Sequence, residues 1–213
     1  VVSIGLALLI AVPLGGLSAY REGSRTDQSV TGGALLGIST PNFLLGIFLI
    51  YFLAVKLQWF PAVGWVRISD SFTGNLKSMA LPVVSLAVAE AAVFTRLVRS
   101  DMIATLQENY ILSARAKGLR DRFILFRHGL RPSSLTLITL VGLNLAGMIA
   151  GTIVIERLFA IPGLGWRLFG AIFQRDYMMV QGITVLIAAF YVLVNAVVDF
   201  LYMAIDPRIR RRT

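Results

Sequence analysis

The chain has no cysteine, which excludes a thiolate nucleophile, a disulfide framework and any Cys-based zinc or iron–sulfur site. A single histidine, His128, excludes multi-histidine metal centres as well. Charge is scarce: 15% of the 213 residues are Asp, Glu, Lys or Arg, against about 25% in a soluble domain. Disorder and coiled coil both need more charge than this. No G-x-x-x-x-G-K-[ST] stretch occurs, so the loop that cradles nucleotide phosphates is missing. What is abundant is apolar surface. Hydrophobic residues reach 57% and the mean hydropathy is +0.78, more than a soluble fold of this size can hide.

A membrane-spanning helix needs about 20 predominantly apolar residues. Five stretches qualify: 1–20, 28–55, 78–95, 133–155 and 178–198. The third is interrupted only by Glu90. A membrane barrel would show ten-residue alternation instead, and none appears. The fold class is therefore an all-α integral membrane protein with five visible spans.

The net charge of +9 would suggest nucleic acid in a soluble chain. In a membrane protein the distribution of the charges matters, because cytoplasmic loops collect Lys and Arg. Connections and termini on one side hold fourteen of the 20 basic residues and the other side holds six. The long stretch 96–131 and the tail 206–213 carry most of the excess. The richer side is expected to be cytoplasmic, with Thr213 inside and no nucleic-acid partner. Val1 then starts outside, within an apolar run that lacks the basic n-region of a signal peptide. An N-terminus outside needs a preceding helix, so six spans are expected in the intact subunit.

The connection 100–132 is too patterned for a simple turn. Ile103, Leu106, Tyr110, Ile111 and Ala114 recur at helical spacing, Gly118 interrupts them, and Leu119, Phe123 and Phe126 resume the stripe. This predicts a helix, a break at glycine and a second short helix that Pro132 closes. Taken alone, the pattern fits two roles equally: an amphipathic segment lying on anionic lipid, or a docking element for a partner.

The run Tyr110-Ile111-Leu112-Ser113-Ala114-Arg115-Ala116-Lys117-Gly118-Leu119, continued by Arg127-His128-Gly129-Leu130-Arg131, resembles the cytoplasmic loop of ABC importer permeases. The resemblance is closest to the B-type permease subunits of oligopeptide and dipeptide importers. It extends to Leu36 through Pro41, Trp59-Phe60-Pro61-Ala62, Phe159 through Gly165, Arg175-Asp176-Tyr177 and Asp206-Pro207-Arg208-Ile209-Arg210. Two departures stand out. The family's Glu-Ala-Ala positions are Leu112, Ser113 and Ala114 here, so no loop glutamate carries over. The later proline position holds Arg131, with Pro132 one place on.

The resemblance implies a type I importer permease in the bacterial inner membrane, without an ATPase site of its own. Its loop would form a coupling helix seated in a cleft of an ATP-binding subunit. The candidate coupling residues are Ala114, Arg115, Ala116, Lys117, Gly118, Leu119, Arg120 and Arg122. Ala114 and Ala116 would keep the surface low, and the basic side chains would meet acidic groups or lipid headgroups. The implied partners are a second homologous permease, two ATP-binding subunits that hold ATP and magnesium, an external substrate-binding protein and the bilayer. No cofactor is expected on this chain. Relatives carry dipeptides, oligopeptides, nickel chelates, haem or glycosides, and a peptide is the expected substrate. Residues 156–177 would form an external insertion with a short apolar piece at 164–173.

Glu90 is the acidic residue well inside a span and marks a candidate intramembrane polar site. It would line the pathway or pair structurally, with Arg96 or a neighbouring subunit, and pairing is the favoured expectation. Gly33/Gly37 and Gly147/Gly151 have the spacing for close helix approach. An ion-coupled secondary transporter is the alternative function, but its paired midplane carboxylates and inverted repeats are missing. An intramembrane protease would need a catalytic dyad, and His128 lies in the basic loop.

Overall fold

The computed structural model describes residues 1–119 and 123–205. Among them the regular elements are helices, and no strand occurs. They are α1 (Val2–Tyr20), α2 (Arg25–Ser39), α3 (Asn42–Leu49), which continues as π-helix over Ile50–Lys56, and α4 (Phe72–Leu106). Then come α5 (Asn109–Ala116), a second π-helical segment over Ile124–Leu130, α6 (Arg131–Leu158), α7 (Leu164–Phe173) and α8 (Tyr177–Ile205).

Among the described residues, α1, α4 and α8 are each long and apolar enough to cross a hydrocarbon core, and α2 with α3 and its π-helical continuation has the length and apolarity of a fourth, bent by 99° at its break. The expected span 133–155 falls within the continuous helix α6. Residues 28–55 do not form one helix. The chain bends sharply at Pro41, whose φ of −59° and ψ of 138° put it in extended backbone. The cause is local: Pro41 has no N–H to give to α2, and its ring pushes Thr40 out of helical conformation.

Two compact units divide the chain. The first comprises 1–3, 40–89 and 143–197. Its core is built from Leu81, Leu86, Ile155 and Phe159, against which Leu49, Ile50 and Leu158 pack. Gly46 lets α3 lie against the end of α6, because a Cβ there would stand 2.8 Å from Leu158 Cδ2. The second unit comprises 4–39, 90–142 and 198–213. In it Gly15 of α1 sits on α4, where a Cβ would fall 2.8 Å from the Thr95 carbonyl oxygen.

Close approach is thus made at Gly15 and Gly46, whereas a Cβ at Gly33 or Gly147 would meet nothing within 4 Å. Small-residue spacing marks a face that can be approached; tertiary structure chooses which face is used.

Four helix ends share one closing device. The N–H groups of Leu119, Ile161 and Asp176 donate to the carbonyls of Ala114, Glu156 and Ala171, five residues back, and that of Trp59, at the end of the π-helical segment, reaches Leu53, six back. The preceding residue is left-handed in each case: Gln58, Gly118, Ala160 and Arg175 have φ of 55°, 73°, 52° and 55°. This is the arrangement that satisfies orphan carbonyls at a helix C-terminus, and glycine adopts it most easily.

Candidate functional site

The loop between α4 and α6 is built as two short helical pieces around Gly118. The sequence pattern predicts one helix through residue 117, but α4 runs on to Leu106 and breaks at Gln107–Glu108 before α5 begins. A small core holds the pieces together: Ile111, Ala114 and Ile124 are buried, with Leu106 packed against them. Ala114 is therefore turned inward and contributes nothing to the loop's outer surface. Ala116, Lys117, Gly118 and Leu119 are exposed. Gly118 closes α5 with φ +73°, a conformation that a β-carbon disfavours, and open space lies beside it. The backbone of Arg115 belongs to α5, while Arg120 and Arg122 lie outside the described residues. On the second piece Arg127 stacks its guanidinium 5.6 Å from the Phe123 ring centroid. The result is a compact knob with a small-residue apex and basic flanks.

Glu90 is half-buried on α4, and among the described residues it makes no ion pair. The expected partner Arg96 is six residues on, which places it about 9 Å along the helix and on a different face. The acidic group that does pair is Asp27, in the first turn of α2. Asp27 is buried, and its carboxylate accepts from Arg99 Nε at 2.6 Å and Nη2 at 2.8 Å. Ser18 Oγ and the Gly23 N–H also donate to it. Ser24 Oγ in turn accepts from the Asp27 N–H, so α2 begins on a capping arrangement. In sequence Asp27 directly precedes the uncharged stretch 28–55 and Arg99 follows the apolar stretch 78–95. The Arg99 hydrogen bonds hold the Asp27 carboxyl well below the usual carboxylate range, against the opposite effect of burial. In the sequence Arg99 is one of the basic residues of the stretch 96–131, with nothing nearby to single it out. The available signal was the S-x-x-D capping pattern at Ser24–Asp27.

Residues 156–177 contain a second built feature. Glu156 Oε2 accepts from the Trp166 N–H at 3.0 Å and so caps α7 from outside its own sequence. A Cβ on Gly163 would overlap the Glu156 carboxylate, and one on Gly165 would stand 2.7 Å from Ile153 Cα. The two glycines of the Pro162-Gly163-Leu164-Gly165 run are therefore a seat for that carboxylate. Next to it, Arg157 lies 4.2 Å from the Trp166 ring centroid and 5.1 Å from that of Phe169. The expected apolar piece at 164–173 is α7, with Ile172 and Phe173 exposed.

Three kinds of likeness accompany this geometry. The family model of the binding-protein-dependent transport system inner membrane component matches residues 11–211. The oligopeptide transport system permease protein AppB of Bacillus subtilis is 41% identical over 210 residues, covering 98% of this chain and 66% of the relative. The oligopeptide transport system permease protein OppB of Salmonella typhimurium is 40% identical over 205 residues, covering 96% and 65%. The chain spans about two thirds of the length of these relatives. Among solved structures, inward-facing conformations of the MetNI methionine ABC transporter align with a TM-score of 0.78 at 18% identity, over 96% of this chain and 90% of the other. That last likeness bears on the fold alone.

Proposed function

The chain belongs to the family of binding-protein-dependent transport system inner membrane components, and from that premise we propose that it is a permease subunit of an ATP-driven importer for peptides. The observation that carries this reading is the family match along nearly the whole chain, together with relatives named as oligopeptide permeases. Those names support a peptide substrate, with oligopeptide or dipeptide as the class. The ion-coupled alternative has no comparable support.

In this reading the chain forms half of a translocation pathway beside a second homologous permease. Two separate subunits bind ATP and magnesium and hydrolyse the nucleotide, and an external binding protein delivers the peptide. The knob around Gly118 faces the cytoplasm and seats in an ATP-binding subunit. Its shape suits that role: a left-handed glycine lets a partner's backbone approach closely, and the exposed Lys117 can meet an acidic rim. Closure of the motor subunits on ATP would move the knob and switch the pathway between inward- and outward-facing forms. Residues 156–177 would face the binding protein, and the tail 206–213 would end in the cytoplasm.

Gly118→Glu tests the assignment in the reconstituted complex of the full chain with its partners. Normal membrane abundance is expected, with weakened retention of the ATPase subunits and loss of binding-protein-stimulated ATP hydrolysis and of uptake. Wild-type stimulation and uptake would make the loop a lipid-facing surface helix.

A further inference from the structure

We infer that Asp27 and Arg99 are positioning residues for energy coupling: their ion pair locks α1, the start of α2 and the end of α4 into one block that moves with the loop. The inference rests on the reading of that loop as the ATPase-docking element.

The geometry is specific. One buried carboxylate takes two hydrogen bonds from a guanidinium fork on α4, one from Ser18 of α1 and one from the Gly23 N–H of the turn between α1 and α2. A point charge could not satisfy both carboxylate oxygens in this way. The face of α4 that carries Arg99 also carries Thr95, Val98 and Met102, spaced as neighbours on a helix. Gly15 lies against Thr95 and Val98, and a Cβ on Gly16 would be 3.6 Å from Met102 Sδ. Met102 reaches the other way too, since a Cβ on Gly129 would be 3.2 Å from its Cε. Gly129 belongs to the second helical piece of the loop. The last turns of α4 thus hold the loop through Met102 and the first two helices through Arg99 and Val98.

A displacement of the loop would have to break this joint or carry α1 and α2 with it. Breaking it leaves a buried carboxylate without its cation, held only by Ser18 and the Gly23 N–H, the costliest kind of loss in a packed interior. Carrying the helices along leaves every contact intact. The second course is the one the structure favours, and the movement of the loop therefore enters the membrane through α1, α2 and α4 together.

Two variants in the full chain, reconstituted with its partners and supplied with a labelled short peptide, test this. Arg99→Lys keeps the charge and loses the fork. Abundance, ATPase-subunit retention and stimulated hydrolysis should stay near wild type, while peptide taken up per ATP falls by about fivefold, within the range that positions in a coupled network command. A parallel fall in abundance, hydrolysis and uptake would reduce the pair to a structural role and overturn the inference, as would an unchanged ratio. The second variant exploits the missing cysteines. Gly16→Cys with Met102→Cys, in partners stripped of cysteine, is bridged by a short bifunctional thiol reagent. Most uptake should survive bridging if α1 and α4 move as one. Loss of uptake on bridging, restored by cleaving the link, would show that the helices separate and overturn the inference. Gly118→Glu serves as the reference. If it is silent, the docking reading itself fails; if it abolishes stimulation while Arg99→Lys leaves uptake per ATP unchanged, only the present inference fails.

Discussion

The carboxylate of Asp27 and the guanidinium of Arg99 meet through two hydrogen bonds across 72 residues of sequence. Their side chains are 6% and 27% exposed, so the carboxylate is the member that cannot turn to water when its partner is lost.

Arg99→Leu should therefore destabilise the subunit strongly, by about 3 kcal/mol, because it strands a buried charge. Adding Asp27→Asn to Arg99→Leu should recover part of that loss, since a neutral amide is cheaper to bury than an unpaired carboxylate. Thermal unfolding in detergent compares the two. A double variant no more stable than Arg99→Leu would show that the cost comes from lost packing of the arginine stem.

At Gly118 the left-handed backbone sets an order among substitutions. Asn should keep the most activity, Ala less and Val least, because Asn tolerates this conformation and a β-branched side chain does not. Stimulated ATP hydrolysis across the three variants reads the order. Equal activity of Asn and Val would mean that the conformation at this position is not required.

The other left-handed helix ends carry residues with a β-carbon. Ala160→Gly removes that penalty at φ 52°, partly offset by the freer unfolded chain, and should stabilise by about 0.5–1 kcal/mol. A midpoint rise of a few degrees in a thermal scan is the expected result, with Ala87→Gly, inside α4, as the opposing control.

The distribution of basic residues gives a topology prediction. A reporter active only in the cytoplasm should give signal after Thr213 and none after Gly74. Signal at Gly74 would reverse the orientation.

Much of the fold can be read directly from hydropathy, because lipid imposes length and apolarity on each span. The broken loop helix is equally legible at Gly118, where composition and conformation agree. Other features needed tertiary structure. In 28–55 the proline at 41 marks where the helix can break, but not that the two halves meet at 99°. Ala114 is small enough for a surface or a core, and only the neighbours Ile111 and Ile124 decide for the core. Asp27 and Arg99 are too far apart in sequence for either to announce the other. Glu156 looks like an ordinary span-end charge until α7 folds back onto it.

The seat beneath α7 also has a history built into it. At Gly163 the three atoms that a Cβ would meet first all belong to the Glu156 carboxylate, and its φ of −114° suits every amino acid. At Gly165 the obstacle includes the backbone of Ile153, which no substitution removes. In a Glu156→Ala background, Gly163→Ala should become nearly neutral while Gly165→Ala stays damaging. Chains that lose the glutamate are then free to drift at 163 and remain bound at 165. Once a side chain has settled at 163, the glutamate cannot return in a single step. Descent through this site runs more easily in one direction than in the other.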